Sequence, residues 1–178
     1  TNFLNTGTLI LGNHSTDGLT FSGGLDTTGG PTQVSVAGTI ATSNTQMDLG
    51  AVTLTADGRF DTSNLGSGTL NVGVVTAGTY SLSLDSGSAG DTALASMSGS
   101  GTLTFAAGGT MTVSGVVTMP TGTVRIDAVT GTVVFNGALN AGTLMATASG
   151  YGVQMNGNTT ITNALTLLNS GGVVLGNG

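Results

Sequence analysis

The side chains that could do acid–base, nucleophilic or electrostatic chemistry are few in this chain of 178 residues. It has eight acidic residues, all Asp, together with two Arg and a single histidine, and it has no Cys. A Ser-His-Asp triad would have to be built around His14, which lies in a Gly-Asn-His-Ser sequence typical of a turn. We therefore expect His14 to be a solvated turn residue.

The two arginines raise a second chemical possibility. Some parallel β-helices are polysaccharide lyases or hydrolases, which combine carboxylates with a cationic group that stabilises developing negative charge. Arg59 lies near Asp57 and Asp61, and Arg125 lies near Asp127, so local ion pairs explain both arginines more simply. By residue type alone, the candidate carboxylates are Asp48, Asp57, Asp61, Asp85, Asp91 and Asp127. We predict no catalytic, cofactor-binding or metal-binding residue and no enzyme activity, and keep a carbohydrate-active β-helix enzyme as an alternative.

Calcium and ice are two further ligands that the sequence raises. The segment 57–61 could hold calcium in a loop, but it lacks both the Gly-Gly-x-Gly-x-Asp nonapeptide and a twelve-residue loop ending in Glu. Calcium binding is therefore left open, and no cofactor is predicted.

Flat Thr arrays can order water, and the chain has Thr-x-Thr pairs at Thr53/Thr55, Thr102/Thr104, Thr110/Thr112 and Thr121/Thr123. Because Thr102/Thr104 is followed a turn later by Thr123/Arg125, we interpret Thr as a strand former, with an ice-binding solenoid as an alternative.

Composition favours strands and turns over helices. Gly contributes 32 residues and Thr is abundant, and both are poor in helix interiors. A hydrophobic content of 38% supports a real core, and the net charge of -6 disfavours binding to nucleic acid or anionic lipid. No apolar run approaches the length of a membrane-spanning helix, and no signal peptide is recognised in this segment.

Apolar residues recur with a period of about one solenoid turn. The rows are Leu103, Val124, Leu144 and Leu165; Val113, Val133, Val153 and Val173; and Val117, Leu139 and Ile161. We predict an all-β, right-handed parallel β-helix (β-solenoid) with about 20–22 residues and three short strands per rung. The first half is less regular, with rungs near Leu19, Met47 and Leu70 and an expected insertion or irregular loop at 86–100.

A longer repeat joins the two ends of the sequence. Residues 3–14 match residues 167–178, at an offset of 164, and Leu4, Asn5, Gly7, Leu11, Gly12 and Asn13 are identical to their partners. This match predicts one solenoid module at 1–164, followed at 165–178 by the first strands of the next tandem module.

Three segments carry a resemblance to a known family. Residues 18–24 (GLTFSGG), 38–42 (GTIAT) and 47–57 (MDLGAVTLTAD) resemble the repeats of very large bacterial filamentous-haemagglutinin-like surface proteins, and the likeness continues through 68–84. The resemblance implies export, a long right-handed β-helix, and a role in adhesion or matrix building.

From this resemblance we expect a structural repeat module of a secreted or cell-surface bacterial fibre, located outside the cell. Its partners would be neighbouring copies of the module end to end, with host or cell-surface glycans as candidate ligands. A filament subunit that assembles by stacking separate chains is the alternative closest to this expectation. The right-handedness of the predicted β-helix is what this resemblance implies, and the usual crossover preference of parallel strands favours the same hand.

Overall fold

The protein is a parallel β-solenoid of about eight turns. The computed structural model describes residues 1–63 and 66–176, and among these every regular element is a β-strand. The strands are β1 Thr8–Leu11, β2 Gly18–Phe21, β3 Leu25–Asp26, β4 Gln33–Thr42, β5 Met47–Leu49, β6 Val52–Asp61, β7 Leu70–Gly78, β8 Leu82–Asp85, β9 Thr92–Gly99, β10 Thr102–Gly108, β11 Met111–Val113, β12 Val117–Val129, β13 Thr132–Phe135, β14 Leu139–Ala146, β15 Gly152–Met155, β16 Thr159–Ile161, β17 Thr166–Leu167 and β18 Val173–Leu175.

Parallel pairing arranges these strands in three faces, which the chain visits in the order A, B, C in each turn. Face A contains β1, residues 33–36, 52–54, 75–76, 97–98, 117–119 and 139–141, and β16. Face B contains β2, residues 39–42 and 58–61, β8, β10, residues 123–129 and 143–146, and β17. Face C contains β3, β5, residues 70–72 and 92–94, β11, β13, β15 and β18.

The predicted fold class, all-β with parallel strands stacked as a solenoid, is confirmed, and the structure refines its period. Among paired residues of neighbouring turns, Val34 and Val52 are the closest in sequence, and Leu9 and Val34 are among the most distant. The predicted period is therefore close to the middle of a wider spread. The strands keep their pairing from turn to turn, and the corners between them absorb the variation in length.

Of the predicted rows, the first is correct where paired strands test it: Leu103, Val124 and Leu144 lie in adjacent turns of face B. The second row was wrong at its first member, because Val113 pairs with Phe135, while Met111 pairs with Val133. The third row was wrong at its last member, because Ile161 pairs with Ala141 and Leu139 pairs with Thr159. Both errors are shifts by two positions, which preserve the inward face of a strand.

The core consists of inward-facing side chains stacked in columns along the axis. On face B one such column runs Leu19, Ile40, Phe60, Leu84, Phe105, Ile126, Ala146 and Leu167. Ile40, Phe60 and Phe105 in this column are fully buried. Phe105 also meets Phe135 of face C edge to face, with ring centroids 6.1 Å apart. Neighbouring turns thus cover each other's apolar side chains from above and below.

Hydroxyl groups close the turns between faces B and C. Thr42 Oγ1 donates to the Thr45 carbonyl at 2.6 Å, Thr62 Oγ1 donates to the Gly68 carbonyl at 2.6 Å, and Ser86 Oγ donates to the Gly90 carbonyl at 2.7 Å. The three hydroxyl-bearing residues are buried, and they lie at the last residue of β4 or directly after β6 and β8, which are consecutive strands of face B. Each of these turns therefore satisfies its buried hydroxyl internally.

The irregular region expected at 86–100 is much shorter than predicted. Residues 92–99 form β9, which pairs with β7, β11 and β12, so only 86–91 form a turn. This turn carries Gly87 at φ 73, and a Cβ there would meet the Gly66 carbonyl oxygen. The Ser- and Gly-rich sequence marks a tight corner that backbone packing requires, because the neighbouring turn passes close to it.

Candidate functional site

Face B carries both arginines, in one outward column. Arg59 pairs with Ser83, Ser83 with Thr104, and Thr104 with Arg125, so the two arginines lie three turns apart. Successive turns are separated by about 4.8 Å, which places the two arginine backbones roughly 14 Å apart. The sequence presents the same Arg-x-Asp pattern at both positions, since Asp61 and Asp127 each follow two positions after an arginine.

Both arginines form local ion pairs as predicted, Arg59 with Asp61 and not with Asp57, and Arg125 with Asp127, and one additional partner was missed. Arg59 Nη2 lies 3.0 Å from Asp61 Oδ2 and 2.7 Å from Asp85 Oδ2, and Arg125 Nε lies 2.7 Å from Asp127 Oδ1. Asp85 belongs to the next turn, where it pairs with Asp61 in the β-ladder. This contact was not predicted, because 26 residues separate Arg59 from Asp85 in the sequence.

The electrostatics of this cluster favour the ionised form of the Asp61 carboxylate. Partial burial raises the pKa of Asp61, but hydrogen bonds from the Ser63 hydroxyl and N–H, together with Arg59, outweigh burial and hold the pKa below its ordinary value of 3.8. Asp61 Oδ1 accepts the Ser63 hydroxyl at 2.7 Å and the Ser63 N–H at 2.9 Å. A carboxylate held ionised by so many donors is poorly suited to act as a general acid at neutral pH.

The remaining candidate carboxylates are engaged separately in other parts of the solenoid. Asp57 Oδ1 accepts the Ser81 N–H at 2.8 Å, and Asp91 Oδ1 accepts the Thr110 N–H at 2.8 Å. Asp48 lies on face C, where Asn71 Nδ2 donates to it at 2.7 Å from the next turn. The six candidates are therefore distributed over different faces and corners, and only Asp61 and Asp85 share a cationic partner.

His14 occupies the exposed turn that its sequence predicted. The Asp17 carboxylate accepts the N–H groups of Asn13 at 2.8 Å and His14 at 3.0 Å, and these hydrogen bonds hold the pKa of Asp17 below 3.8. Thr16 Oγ1 lies 3.3 Å from His14 Nδ1. His14 thus lies in a turn near the N-terminal end whose backbone N–H groups are hydrogen-bonded to the Asp17 carboxylate.

The structure also shows how the potential metal ligands, two methionines and Tyr151 are placed. Within residues 1–63 and 66–176, no group of three or more His, Cys, Asp or Glu residues is placed to hold a metal ion. Met111 and Met155 are buried among the core columns, as predicted from their inward positions. The Tyr151 hydroxyl lies within hydrogen-bond distance of the Ile126 and Thr147 carbonyls, at 3.1 and 2.9 Å, and burial raises its pKa.

Face A presents a polar surface that differs from the other two. One outward column places a hydroxyl or amide side chain on seven consecutive turns: Ser35, Thr53, Thr76, Ser98, Thr118, Asn140 and Thr160. The strand segments of this face contain no Asp, Arg or His. The members of this row are unequally spaced along the sequence, so the row is visible only from the register of the paired strands.

The Thr-x-Thr pairs do not combine into one surface. Thr53 lies on face A, Thr102 and Thr104 lie in β10 of face B, and Thr112 lies in β11 of face C. Face A therefore has one hydroxyl row and no matching second row from these pairs.

The C-terminal end of the solenoid exposes the apolar columns that the body buries, whereas at the N-terminal end these columns are buried or partly buried. At the C-terminal end, Leu165, Leu168, Val173 and Leu175 are exposed, and a cavity of about 400 Å³ is lined by residues that include Met155, Ile161, Leu165 and Leu175. At the N-terminal end, Leu9, Leu19 and Phe21 are partly buried, and Phe3 packs edge to face against Phe21 with ring centroids 6.1 Å apart. The first strands of faces A, B and C form the N-terminal end, and the last strands of the same three faces form the C-terminal end.

The two matching segments at these ends occupy different faces. β1, within residues 3–14, belongs to face A, whereas β18, within residues 167–178, belongs to face C. The last two residues of the match, Asn177 and Gly178, lie outside the described residues. From β1 to β18 the chain therefore completes seven turns and then passes from face A through face B to face C.

Comparison of the chain with protein-family models, with curated proteins and with solved structures finds no match. Among the described residues there is also no helix with the length and hydropathy needed to cross a membrane.

Proposed function

We propose that this chain is a structural module of a secreted or cell-surface bacterial fibre, such as an adhesin stalk or a matrix filament. The observation that carries the proposal is the apolar ladder that the body buries, which is exposed at the C-terminal end and only partly covered at Leu9, Leu19 and Phe21 of the N-terminal end. A parallel solenoid gains stability from each added neighbour, so exposed ends favour continuation by another module. The resemblance of residues 18–24, 38–42 and 47–57 to filamentous-haemagglutinin-like repeats supports the same role.

Continuation is geometrically simple because all paired strands run in the same direction. The C-terminal end offers the inward residues Ile161, Leu167 and Leu175, and the N-terminal end offers the partly buried Leu9 and Leu19. On face C the N-terminal end is formed by the segment at Asn2, which pairs with Asp26 and covers Leu25. Contact between these two different ends is heterologous, and a heterologous contact that does not close into a ring produces a filament. The carbohydrate-active enzyme is less favoured, because its candidate carboxylates are dispersed and those of face B are paired with arginines.

Low-dose electron microscopy of the native material tests the fibre proposal. We expect unbranched rods whose axial density repeats at the length of one module, roughly 38 Å for eight turns at about 4.8 Å each. Short particles of uniform size with a cleft along one side would contradict the fibre and direct attention to glycan-cleavage assays.

Stacking of separate chains is a second candidate, favoured by the exposed cavity at the C-terminal end. We expect the purified chain to form longer rods as its concentration rises, and Leu175→Asp to suppress this growth by placing a charge in the contact. Val174→Asp is the matched control, because Val174 lies on the same strand but faces outward. Equal rod growth in both variants, or no growth in the unaltered chain, would exclude stacking through this end.

The placement of the matching segments gives a measurable property of a covalent array. Because β1 and β18 lie on faces A and C, an array that repeats at the offset of these segments would rotate each module by one third of a revolution relative to the previous one. Helical reconstruction of the native fibre measures this rotation directly. Modules related by translation alone would contradict a repeat at this offset while leaving the fibre proposal intact.

A further inference from the structure

We infer that face A is a lateral self-association surface, through which the solenoid pairs side by side with a second copy of this chain. The inference concerns the long side of the molecule and is independent of the contacts proposed for its two ends. It rests on three features of face A: its charge, its exposed apolar residues and its regular polar row.

Charge is the first feature. The chain has a net charge of -6, so two copies repel each other when they approach through charged surfaces. Face B carries Arg59, Arg125, Asp61, Asp85 and Asp127, and face C carries Asp26 and Asp48. Face A contains none of the ionisable side chains in its strand segments. Asp17 and Asp57 lie at the corner between faces A and B, so two copies that meet through the strand segments of face A place no ionisable side chain in the contact itself.

Exposed apolar side chains are the second feature. Val74 and Val116 immediately precede the inward residues Val75 and Val117 of face A, and they are 53% and 49% exposed. Val75 pairs with Met97 and Met97 pairs with Val117, so the two exposed valines lie two turns apart on one edge of the face. Away from the ends, the other exposed large hydrophobic residues are Tyr80 and Met145 among the described residues. Burial of these two side chains by a partner removes apolar surface from water.

The polar row is the third feature, and it makes pairing with an identical face geometrically feasible. Hydroxyl and amide groups that repeat at about 4.8 Å on one solenoid can meet the same repeat on another, in the manner of packed sheets with matching side-chain ladders. Each of these groups can both donate and accept a hydrogen bond, so the row is complementary to itself. A two-fold axis perpendicular to the solenoid axis would place Val74 and Val116 of both copies in one contact.

The size of face A predicts a weak contact for a single pair of chains. A height of roughly 38 Å and a width of about 13 Å, or four residues at about 3.3 Å each, give roughly 500 Å² per partner. Stable protein–protein contacts bury about 800 Å² per partner, so the pair belongs to the transient class. Several modules in one fibre would add their contacts and strengthen lateral association considerably.

Sedimentation equilibrium from micromolar to millimolar chain concentration tests the inference. The chain would carry Leu175→Asp throughout, so that stacking through the C-terminal end does not contribute to the measured association. We expect a monomer–dimer equilibrium that Val116→Asp weakens at least tenfold. Met145→Asp is the matched control, because Met145 is an exposed apolar residue in the outward column of face B. Circular dichroism of each variant verifies that the solenoid is intact.

Ionic strength gives a second reading of the same equilibrium. Added salt screens the repulsion between the two negatively charged chains, so pairing through face A should strengthen or stay constant as salt rises. Pairing through the ion pairs of face B would weaken instead. The inference is overturned if the Leu175→Asp chain stays monomeric to millimolar concentration, if Met145→Asp weakens pairing as much as Val116→Asp, or if face A binds a neutral polysaccharide while the chain stays monomeric.

Discussion

The body of the solenoid and its C-terminal end contain the same inward columns in different surroundings. Val153 and Met155 are 1% and 2% exposed, whereas Val173 and Leu175, which pair with them one turn later, are 39% and 69% exposed. Residue type and strand position are nearly the same in the two turns. The difference is that β15 is covered by a turn on each side and β18 by a turn on one side only.

This comparison shows that burial is a property of the stack and not of the single strand. A solenoid turn cannot bury its apolar face by itself, so the stability of the rod is approximately a sum of contacts between neighbouring turns. The end turns have half of these contacts and are expected to open first. The same incomplete coverage makes the ends the surfaces most suited to join another module.

The largest expected effect comes from removing a core aromatic from the body. Phe105→Ala should lower the free energy of unfolding by about 3–5 kcal/mol, because Phe105 is fully buried and stacks against Phe135. Leu175→Ala at the end should cost less than about 0.5 kcal/mol. Urea unfolding of the two variants measures the contrast, and similar losses in both would show that the end is covered in solution.

A smaller effect is expected from a backbone contact between turns. Gly115, Gly137 and Gly157 stack at the corner between faces C and A, and a Cβ on Gly137 would overlap the Gly115 carbonyl group. We expect Gly137→Ala to cost roughly 1–3 kcal/mol, because the obstructing atoms are backbone and cannot move without separating two turns.

Gly150→Ala is the control for this substitution. A Cβ on Gly150 has no atom within 4 Å. Its stability should change by less than about 0.5 kcal/mol. An unchanged melting curve for Gly137→Ala would show that the corner is wider than the structure indicates and would weaken the view that turn-to-turn contact dominates the body.

Much of the fold was predictable from the sequence because inward positions of a strand recur at every second residue and the turns recur at a longer, nearly regular period. The predicted row Leu103, Val124 and Leu144 is correct for this reason. Register was less predictable, as the displacement of Val113 shows. Met111 and Val113 both face inward, so hydrophobicity alone does not decide which of them pairs with Val133.

Outward positions were predictable only when their partners were close in sequence. The Arg125–Asp127 pair was found from the sequence because its members share a strand. The contact between Arg59 and Asp85 and the polar row of face A depend on the register between turns. Turn length varies from one corner to the next, and no periodic sequence signal specifies it.

The smallest expected effect distinguishes the two ends by their response to acid. At the N-terminal end, hydrogen bonds from the Thr28 hydroxyl and N–H, at 2.7 and 2.8 Å, hold the pKa of Asp26 below 3.8, and Asp17 has a lowered pKa for a similar reason. A carboxylate whose pKa is lower in the folded state stabilises that state above its unfolded pKa, and the contribution is lost as the pH falls through the folded value. After Asp127 the sequence contains no further carboxylate side chain, so the C-terminal turns should lack this response.

Amide hydrogen exchange between pH 5 and pH 2.5, corrected for intrinsic rates, measures this asymmetry. Protection of β1–β3 should decrease by a modest factor towards low pH, while protection of β16–β18 stays low and nearly constant. The double variant Asp17→Asn and Asp26→Asn is the control, because Asn keeps an oxygen acceptor but does not titrate. If this variant loses N-terminal protection at low pH as the unaltered chain does, the two carboxylates are not the cause. An equal pH response at both ends would show that acid acts on the whole stack, and the ends would then differ in exposed apolar surface alone.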